Sequence, residues 1–344
     1  MKFEAITIKD IAKALGISTS TVSRALRDSY EISTETKKLV LECAEKLNYK
    51  PNPIALSLKE RRSRSIGVVV CEIANVFFSQ IINGIESIAY DRGYNVIISQ
   101  SLESYDREVI DLQYLASRSV DGIIISLSTE TTDLSHLTSL QERGMPIVLF
   151  DRITNEMDTH MVTVDSYKGS YEATEHLIKN GYKRIAALAG SEFLSITNER
   201  LHGYRDALEK YNIPLPKEYI NHCYYGGMIF SEVEEAVNKL FTLENKPDAI
   251  FTTSDKLTLG CLKTLRRRGI KIPGEIAMVG FSNSDNAELF DPALTTIRQP
   301  AEAMGKAATE LLIQMIESKR PVKDFERRSL IPELQVRESS GRKG

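Results

Sequence analysis

Short apolar runs that alternate with amphipathic helical segments fill most of this chain and restrict its fold more than any other feature. The runs are Ile66–Val70, Val96–Ser99, Gly122–Ser126, Ile147–Phe150, Val162–Asp165, Ile185–Ala189, Ala249–Thr253 and Ile276–Phe281. Helical patterns lie between them, over Phe78–Arg92, Arg107–Arg118, Ser166–Asn180 and Asn198–Lys210. Continuous apolar runs of this length are typical of parallel strands that are covered on both faces. The pattern therefore predicts a doubly wound α/β architecture, with room for two sheets of about 130 residues each.

Residues 1–50 have a different pattern, that of three short amphipathic helices. Capping residues mark the helix ends: Thr7 with Asp10, Gly16, Ser18 and Ser33. The second helix extends to Arg27 and places small hydroxyl side chains and Arg24 on its outer face. A helix, a short glycine turn and a second helix predict a helix-turn-helix, whose outer face suits a major groove. The alternative is a generic three-helix bundle with a solvated face.

Charge is distributed unevenly along the chain. Residues 1–64 carry thirteen Lys or Arg and eight Asp or Glu, a net charge of +5, whereas the remainder carries 31 and 39, a net charge of −8. A basic head on a larger acidic body suggests that the head alone lies next to phosphate.

The segment from Pro51 to Arg64 joins these two parts through a very short helical pattern. Six or seven residues do not form a stable helix alone in water, because helix nucleation is costly. Ala55 and Leu58 share one face of this pattern, and an apolar wedge of this kind can enter a minor groove. The alternative is an ordinary charged linker.

These residues resemble the lac repressor (LacI/GalR) family of transcriptional regulators. The matching residues are Thr7–Ala12, Gly16–Ser18, Thr21–Leu26, Tyr49, Pro51, Asn52, Ala55 and Leu58. By this resemblance the DNA contacts come from Thr7, Ser18, Thr19, Ser20, Thr21, Ser23, Arg24, Ser33, Asn52, Ala55 and Leu58. Of these, Thr19, Ser20 and Arg24 would read base edges, and Leu58 would insert at the operator centre. Arg27 stands where the family usually has asparagine, which adds a further phosphate or base contact.

The resemblance implies an α/β fold with a three-helix helix-turn-helix headpiece and a two-lobed periplasmic-binding-protein-like domain with parallel sheets. The expected parts are the headpiece (1–50), a hinge helix and linker (51–64), and an effector-binding and dimerisation domain (65–344). Lobe one would span about 65–165 and 297–326, and lobe two about 166–296 and 327–344. The crossovers between the lobes would then lie near Asp165, Thr296 and Glu326.

Candidate effector contacts follow several of the predicted strands, because ligands of open α/β sheets bind at the carboxyl ends of strands. They are Asn75, Phe77, Phe78, Asp151, Arg200, Ser254, Asp255 and Ser282. The resemblance implies effector contacts for Phe77, Phe78, Asp151, Arg200 and Ser254, with a sugar or sugar derivative as the effector. Ser282 departs from the aspartate that many members carry, which leaves room for an acidic or oligomeric ligand. The alternatives are that the phenylalanines pack a helix, that Asp255 caps one, and that Asp151 belongs to a structural ion pair.

Other classes of protein lack support in the sequence. The first strand is not followed by a glycine-rich phosphate loop, and there is no GxSxG elbow, so we do not expect an enzyme. The four cysteines and five histidines are scattered, which predicts neither a disulfide framework nor a metal site. No apolar run approaches the roughly 20 residues of a membrane span, and no signal peptide is evident.

The sequence therefore predicts a cytoplasmic regulator that needs no cofactor. It would bind a pseudo-palindromic site in double-stranded DNA as a homodimer, with a small-molecule effector adjusting its affinity. A secreted solute-binding protein would lack the basic head, and a sugar-processing enzyme behind the same headpiece would turn over its ligand. The operator sequence, the effector and the sign of control are left open.

Overall fold

Residues 6–49 and 62–341 are described by the computed structural model, and they divide into a small N-terminal unit and a large unit that begins at Arg64. The N-terminal unit contains the helices α1 (Ile8–Leu15), α2 (Thr19–Ala25) and α3 (Thr34–Lys46). Their buried side chains form one small core: Ile11, Ala12, Val22, Ala25, Val40 and Ala44. The helix-turn-helix is confirmed, although α2 ends at Ala25 rather than at Arg27. The chain turns there and reaches a positive φ of 54° at Asp28.

The large unit contains twelve strands and eight further α-helices within the described part of the chain. The strands are β1 (Ser65–Val70), β2 (Asn95–Gln100), β3 (Gly122–Ile125), β4 (Ile147–Phe150), β5 (His160–Val164), β6 (Ile185–Ala189), β7 (Ile220–His222), β8 (Ala249–Thr252), β9 (Ala277–Phe281), β10 (Thr295–Arg298), β11 (Arg327–Leu330) and β12 (Glu333–Gln335). The helices are α4 (Val76–Asp91), α5 (Tyr105–Ser117), α6 (Ser135–Glu142), α7 (Ser166–Lys179), α8 (Ser195–Lys210), α9 (Phe230–Thr242), α10 (Asp255–Arg267) and α11 (Ala301–Glu317).

These strands form two six-stranded sheets, which confirms the predicted doubly wound architecture. The first sheet has the order β11-β5-β4-β3-β1-β2, and the second has the order β12-β10-β9-β8-β6-β7. Every pairing is parallel except that of β10 with β12. In the first sheet Val68 lies opposite Ile98 on one side and Ile124 on the other, so the apolar runs are in register.

Each sheet is covered by helices on both faces, which explains why its central strands are apolar throughout. In lobe one, α4 and α11 pack on one face of the first sheet, while α5 and α6 pack on the other. In lobe two, α9 and α10 cover one face of the second sheet, and α7 and α8 cover the opposite face. Of the helices in residues 6–49 and 62–341, none is long and apolar enough to cross a membrane.

Two of the expected crossovers lie elsewhere in the structure. Residues 327–330, expected in lobe two, form β11 and pair in parallel with β5 in the first sheet. The third crossover therefore follows Leu330 instead of lying near Glu326. The second crossover was expected near Thr296 and follows Arg298, two residues further on, because the whole of β10 belongs to the second sheet. The edge strand β11 has exposed and half-buried side chains only, so no apolar run marks it in the sequence.

Glycines allow two pairs of helices to approach closely. A Cβ atom on Gly305 of α11 would lie 2.1 Å from the carbonyl oxygen of Ile81 in α4, and one on Gly84 of α4 would lie 2.1 Å from the carbonyl oxygen of Glu302. In lobe two, a Cβ atom on Gly203 of α8 would lie 2.2 Å from the carbonyl oxygen of Tyr167 in α7. These distances are far below van der Waals contact, so both helix crossings depend on glycine.

We expect Gly305→Ala to lower the free energy of unfolding by about 1–3 kcal/mol, since the backbones of α4 and α11 would have to separate. This loss should exceed the roughly 1 kcal/mol by which alanine favours a helix over glycine. Urea denaturation measures it, with Gly274→Ala as the control, because a Cβ atom there meets only the Lys271 side chain at 3.6 Å. Equal stabilities for the two variants would show that the helices separate without penalty.

Candidate functional site

The outer face of α2 carries a cluster of hydroxyl groups at its first turn. The Ser18 Oγ accepts a hydrogen bond from the backbone N–H of Thr21 at 3.0 Å. The same oxygen is hydrogen-bonded to the hydroxyls of Ser20 at 2.7 Å and Thr21 at 2.8 Å. At the start of α1, the backbone N–H and the hydroxyl of Thr7 both donate to the carboxylate of Asp10, which is the predicted capping interaction. Small hydroxyls thus form the solvent face of the helix-turn-helix.

The basic side chains near this face have partners within the headpiece. The Arg24 guanidinium donates to the carboxylate of Glu31 at 2.9 Å. The Arg27 Nε donates to the carbonyl oxygen of Ser23 at 2.9 Å, and its guanidinium also contacts the Ser23 hydroxyl. The sequence predicted the exposure of Arg24 but not its ion pair, because seven residues separate Arg24 from Glu31.

The predicted DNA contacts that the structure describes are accessible. Exposed residues are Thr7, Ser18, Thr19, Ser20, Arg24, Arg27 and Ser33, and half-buried ones are Thr21 and Ser23. Asn52, Ala55 and Leu58 lie outside the described residues. The described contacts lie on one small unit, as a DNA-reading surface requires, and their individual roles stay predictions.

A cavity of about 90 Å³ lies between the carboxyl ends of the two sheets, with walls from both lobes. It brings together seven of the eight predicted effector contacts: Asn75, Phe77, Phe78, Asp151, Arg200, Ser254 and Asp255. Residues more than a hundred positions apart in the chain thus meet at one place, as the strand-end rule predicts.

Arg200 of α8 is buried at the back of this cavity. Its guanidinium donates to the carbonyl oxygen of Thr253 at 2.5 Å and to the Oε1 of Gln299 at 2.8 Å, and its Nε donates to the Ser166 Oγ at 3.3 Å. The guanidinium also lies 3.8 Å from the centre of the Phe281 ring. Burial lowers the pKa of Arg200 to about 10, and the charge of Asp151 opposes this effect. Arg200 remains a cation at neutral pH and is held rigidly.

Asp151 follows β4 directly and has a positive φ of 57°. Only 8% of the residue is exposed, and within residues 6–49 and 62–341 its carboxylate makes no hydrogen bond. Burial raises the pKa of this carboxyl, while Arg200 and Arg152 act to lower it. A buried carboxylate without a donor is unfavourable, so this group is suited to a ligand that brings its own donors.

A buried ion pair that the sequence did not predict borders the cavity. The carboxylate of Glu103 accepts hydrogen bonds from both terminal nitrogens of Arg152, at 2.7 Å for one of them, and from the backbone N–H and the hydroxyl of Thr129 at 2.9 Å and 2.8 Å. Burial raises the pKa of Glu103, but Arg152 and the hydrogen bonds from Thr129 together outweigh it and hold the pKa below its usual range. Glu103 follows β2, so the strand-end rule was the signal available in the sequence.

Three of the predicted effector contacts also stabilise the fold. Ser254 is the N-cap of α10, where its Oγ accepts the backbone N–H of Leu257 at 3.3 Å and donates to the carbonyl oxygen of Gly226 at 3.0 Å. The alternative that Asp255 caps this helix is therefore wrong, since Asp255 is its first residue. Phe77 and Phe78 belong to the core of lobe one and also line the cavity.

Ser282 does not line the cavity. Its hydroxyl donates to the carboxylate of Asp255, and it lies behind that residue with 2% of its surface exposed. Burial raises the pKa of Asp255, and the bond from Ser282 opposes the rise. Ser282 can therefore influence a ligand only through Asp255.

A chain of hydrogen bonds leads from Arg200 to the contact between the lobes. The backbone N–H of Gln299 donates to the Oδ1 of Asn283 at 3.0 Å, and the Nδ2 of Asn283 donates to the Oε1 of Gln80 in α4 at 2.7 Å. At the cavity itself, Lys256 of lobe two forms a 2.9 Å ion pair with Glu72 of lobe one. Both contacts connect the lobes beside the cavity. The described residues contain no group of three or more His, Cys, Asp and Glu side chains placed to bind a metal ion.

Two protein families match this chain, one over the N-terminal headpiece and one over the large unit. The model of "Bacterial regulatory proteins, lacI family" matches residues 7–52, and that of "Periplasmic binding proteins and sugar binding domain of LacI family" matches residues 63–338. The HTH-type transcriptional repressor PurR of Vibrio vulnificus (strain CMCP6) is 34% identical over 334 residues, 97% of this chain and 98% of that protein. PurR of Vibrio campbellii is 33% identical over 332 residues, 96% of this chain and 97% of that protein.

Two solved structures of transcriptional regulators have the same fold as this chain. The transcriptional regulator CelR, in its cellobiose complex, is 29% identical with a TM-score of 0.71, covering 97% of this chain and 99% of that one. The lac repressor dimer bound to operator and the anti-inducer ONPF is 24% identical with a TM-score of 0.83, covering 98% of this chain and 100% of that one. The chain belongs to the LacI family of bacterial regulatory proteins, and it is a DNA-binding transcriptional regulator with an effector-binding domain.

Proposed function

We propose that this protein binds a pseudo-palindromic operator as a homodimer, in the cytoplasm, and that a sugar or sugar derivative in the interlobe cavity sets its affinity for DNA. The observation that carries the proposal is the cavity itself, whose walls from both lobes surround the carboxylate of Asp151, a group that makes no hydrogen bond among the described residues. A ligand that contacts both walls changes the relative free energies of the arrangements of the lobes. The cellobiose complex of CelR supports a sugar as the ligand.

The charges around the cavity favour a neutral, hydroxyl-rich ligand over an acidic one. Its lining carries four acidic and three basic side chains: Glu72, Glu103, Asp151, Asp255, Arg152, Arg200 and Lys256. Arg152 is neutralised by Glu103 and Lys256 by Glu72, so neither offers a free positive charge to an anion. Asp151 needs donors, which sugar hydroxyls supply, and Phe77 and Phe78 offer apolar surface to the C–H groups of a sugar ring.

The hydrogen bonds from Arg200 through Gln299 and Asn283 to Gln80 support a link between the effector and the lobes. A ligand that accepts a hydrogen bond from Arg200 would alter the hydrogen bond between Arg200 and Gln299, which follows β10. The contact of Asn283 with Gln80 would then favour a different angle between the lobes. By the family resemblance, we propose that this change in the angle between the lobes reaches the hinge segment that contains Leu58.

Apolar side chains at the outer edge of the first sheet support association with a second copy of the chain. The edge strand β2 exposes Ile98, and α5 beside it exposes Ile110 and Tyr114 on one helix face. Exposed apolar side chains around a free strand edge are suited to association. Two-fold symmetry of such a dimer would impose two half-sites on the DNA.

In vitro selection from random duplexes with the full-length protein tests the DNA part of the proposal. We expect an inverted repeat whose half-site centres are one helical turn apart, or a multiple of one turn. A single, non-repeated site would contradict the dimer.

A thermal-shift panel of sugars, sugar acids and nucleobases tests the effector part of the proposal, since a ligand at 100 times its Kd adds about 2.7 kcal/mol of stability. Stabilisation by nucleobases alone would contradict a sugar effector.

Arg24→Ala should cost about 1–3 kcal/mol of discrimination between the selected operator and random DNA, because an arginine fork binds guanine through two hydrogen bonds. Fluorescence anisotropy with both duplexes measures this discrimination. Lys46→Ala is the matched control, since it removes one exposed positive charge from the far end of α3. If Arg24→Ala weakened both duplexes equally, Arg24 would contact phosphate rather than bases.

A further inference from the structure

A row of exposed aromatic side chains, which we call the aromatic rim, lies on lobe two. It consists of Phe193, Tyr224 and Tyr225, which are 70%, 44% and 41% exposed. The ring centres of Phe193 and Tyr224 are 6.3 Å apart, and those of Tyr224 and Tyr225 are 5.3 Å apart. Adjacent exposed aromatic rings of this kind are typical of binding surfaces.

The aromatic rim connects the interlobe cavity with a second one. Tyr225 lines the cavity that contains Asp151 and Arg200, whereas Phe193 lines a neighbouring cavity of about 480 Å³. Arg152 and Leu194 line both, so the two cavities share a wall. Since the first cavity has only about 90 Å³, a ligand anchored there has more room to extend into the second.

The second cavity also has walls from both lobes, and its lining combines hydroxyl and amide side chains with apolar ones such as Leu127, Leu134 and Ile153. Lobe one contributes the hydroxyl and amide side chains Ser128, Thr131, Thr132, Thr154 and Asn155. Lobe two contributes Phe193, Leu194 and Glu199. Hydroxyl and amide groups beside an exposed aromatic ring suit a polyol with apolar C–H faces, and they suit an apolar protein segment poorly.

The loop that carries Tyr224 and Tyr225 of the aromatic rim is firmly held. The carboxylate of Glu232 in α9 accepts hydrogen bonds from the backbone N–H groups of Tyr224 and Tyr225, at 3.2 Å for the latter. A Cβ atom on Gly227, which has a φ of +96°, would lie 2.8 Å from the backbone nitrogen of Leu257. The backbone that carries the two tyrosines is therefore in place before a ligand arrives.

We propose that the effector is an oligosaccharide of at least two rings, with one ring at Asp151 and Arg200 and the following rings along the aromatic rim towards the second cavity. This inference depends on the proposed function, in which the cleft binds a sugar. It adds the size of the ligand and a second subsite, formed by Phe193 and Tyr224. We infer a sugar because the rim is continuous with the Asp151 cavity and because hydroxyl and amide side chains of lobe one lie beyond it.

Isothermal titration of the full-length protein with sugars of one to four rings, from the β-glucan, α-glucan, xylan and galactan series, tests the inference. In at least one series we expect the affinity to rise about tenfold or more between one ring and the longer members. Phe193→Ala and Tyr224→Ala should each weaken the longer sugars by about 3- to 10-fold and leave the one-ring sugar unchanged. Tyr90→Ala is the control, because Tyr90 is 76% exposed on α4 of lobe one.

The outcomes separate this inference from the proposed function. If one-ring sugars bind as tightly as longer ones, the second subsite is wrong and the sugar-binding cleft stands. If the rim variants weaken sugars of every length equally, or none of them, the rim is not an extension of the site. If no sugar of any series binds, both the oligosaccharide and the sugar effector are wrong.

Discussion

Replacing Glu103 by glutamine is expected to lower the free energy of unfolding by about 3–5 kcal/mol, because it leaves the charge of Arg152 buried without its partner. The side chain of Arg152 is 16% exposed, and Glu103 is the only carboxylate to which it donates among the described residues. Glutamine keeps the shape of the side chain but supplies one acceptor oxygen where the carboxylate supplies two. Chemical denaturation of the purified protein measures the loss.

This loss should depend on pH in a defined direction. The pKa of Glu103 is held below its ordinary value of 4.5 in the folded protein, since Arg152 and the hydrogen bonds from Thr129 together outweigh the effect of burial. The carboxylate therefore stabilises the fold above the pKa of the unfolded chain, and this stabilisation is lost as the pH falls through the folded pKa. The difference between Glu103→Gln and the parent protein should be largest at neutral pH and should shrink below about pH 4.5.

Glu317→Gln provides the matched control, because it breaks an Arg–Glu pair with Arg92 on the surface of the same lobe. Exposed pairs contribute about 0–1 kcal/mol, so this variant should remain near the parent protein. Adding Arg152→Met to Glu103→Gln should recover part of the loss, since the unpaired charge is then removed. A loss below about 1 kcal/mol for Glu103→Gln would show that water or another group satisfies Arg152.

The central strands could be predicted from the sequence because burial on both faces leaves a continuous apolar run. This holds for β1, β4 and β6, whose first and last residues agree with the predicted runs to within one residue. Three of the four edge strands, β7, β11 and β12, include exposed side chains and carry no such signal, and the third crossover was misplaced as a result. The fourth edge strand, β2, was predicted from the run Val96–Ser99. The capping residues Thr7, Ser18 and Ser33 located the headpiece helices because their effect is local.

The cavity could be predicted in outline, since the carboxyl ends of parallel strands meet at one edge of each sheet. What could not be predicted is which polar side chains are already satisfied. Ser282 and Asp255 are hydrogen-bonded to each other, and Glu103 joins Arg152 across 49 positions. Such pairings depend on distances between loops from different strands, and spacing along the chain does not encode them. The contrast between paired Glu103 and unpartnered Asp151 therefore comes from the structure alone.

Asp151→Asn is expected to stabilise the free protein and to weaken effector binding, two effects of opposite sign at one residue. Removing a buried charge that has no donor should raise the free energy of unfolding by on the order of 1 kcal/mol. The same change removes a charged acceptor from the ligand, and hydrogen bonds to charged groups contribute about 1.5–3 kcal/mol, so the effector should bind roughly 10- to 150-fold more weakly. Thermal denaturation and titration with the sugar found in the panel measure the two effects.

The negative charge of Asp151 affects the stability of the fold with the opposite sign to that of Glu103. Burial raises the pKa of Asp151 above its ordinary value of 3.8, so the folded protein binds the proton more tightly than the unfolded chain does. The charged form destabilises the fold once the pH exceeds the folded pKa, and the effect is absent below the unfolded pKa. The gain from Asp151→Asn should thus be full at neutral pH and vanish as the pH falls towards 3.8.

Asp158→Asn is the control for both effects, because Asp158 is exposed and follows Asp151 in the same connection between β4 and β5. It should change neither stability nor effector affinity. The Asp151 variant should still bind its operator with the affinity of the free parent protein, but the sugar should no longer alter that affinity. A variant that loses stability and keeps its response to the sugar would instead make Asp151 part of the framework of lobe one, and the ligand would then contact other residues of the cavity.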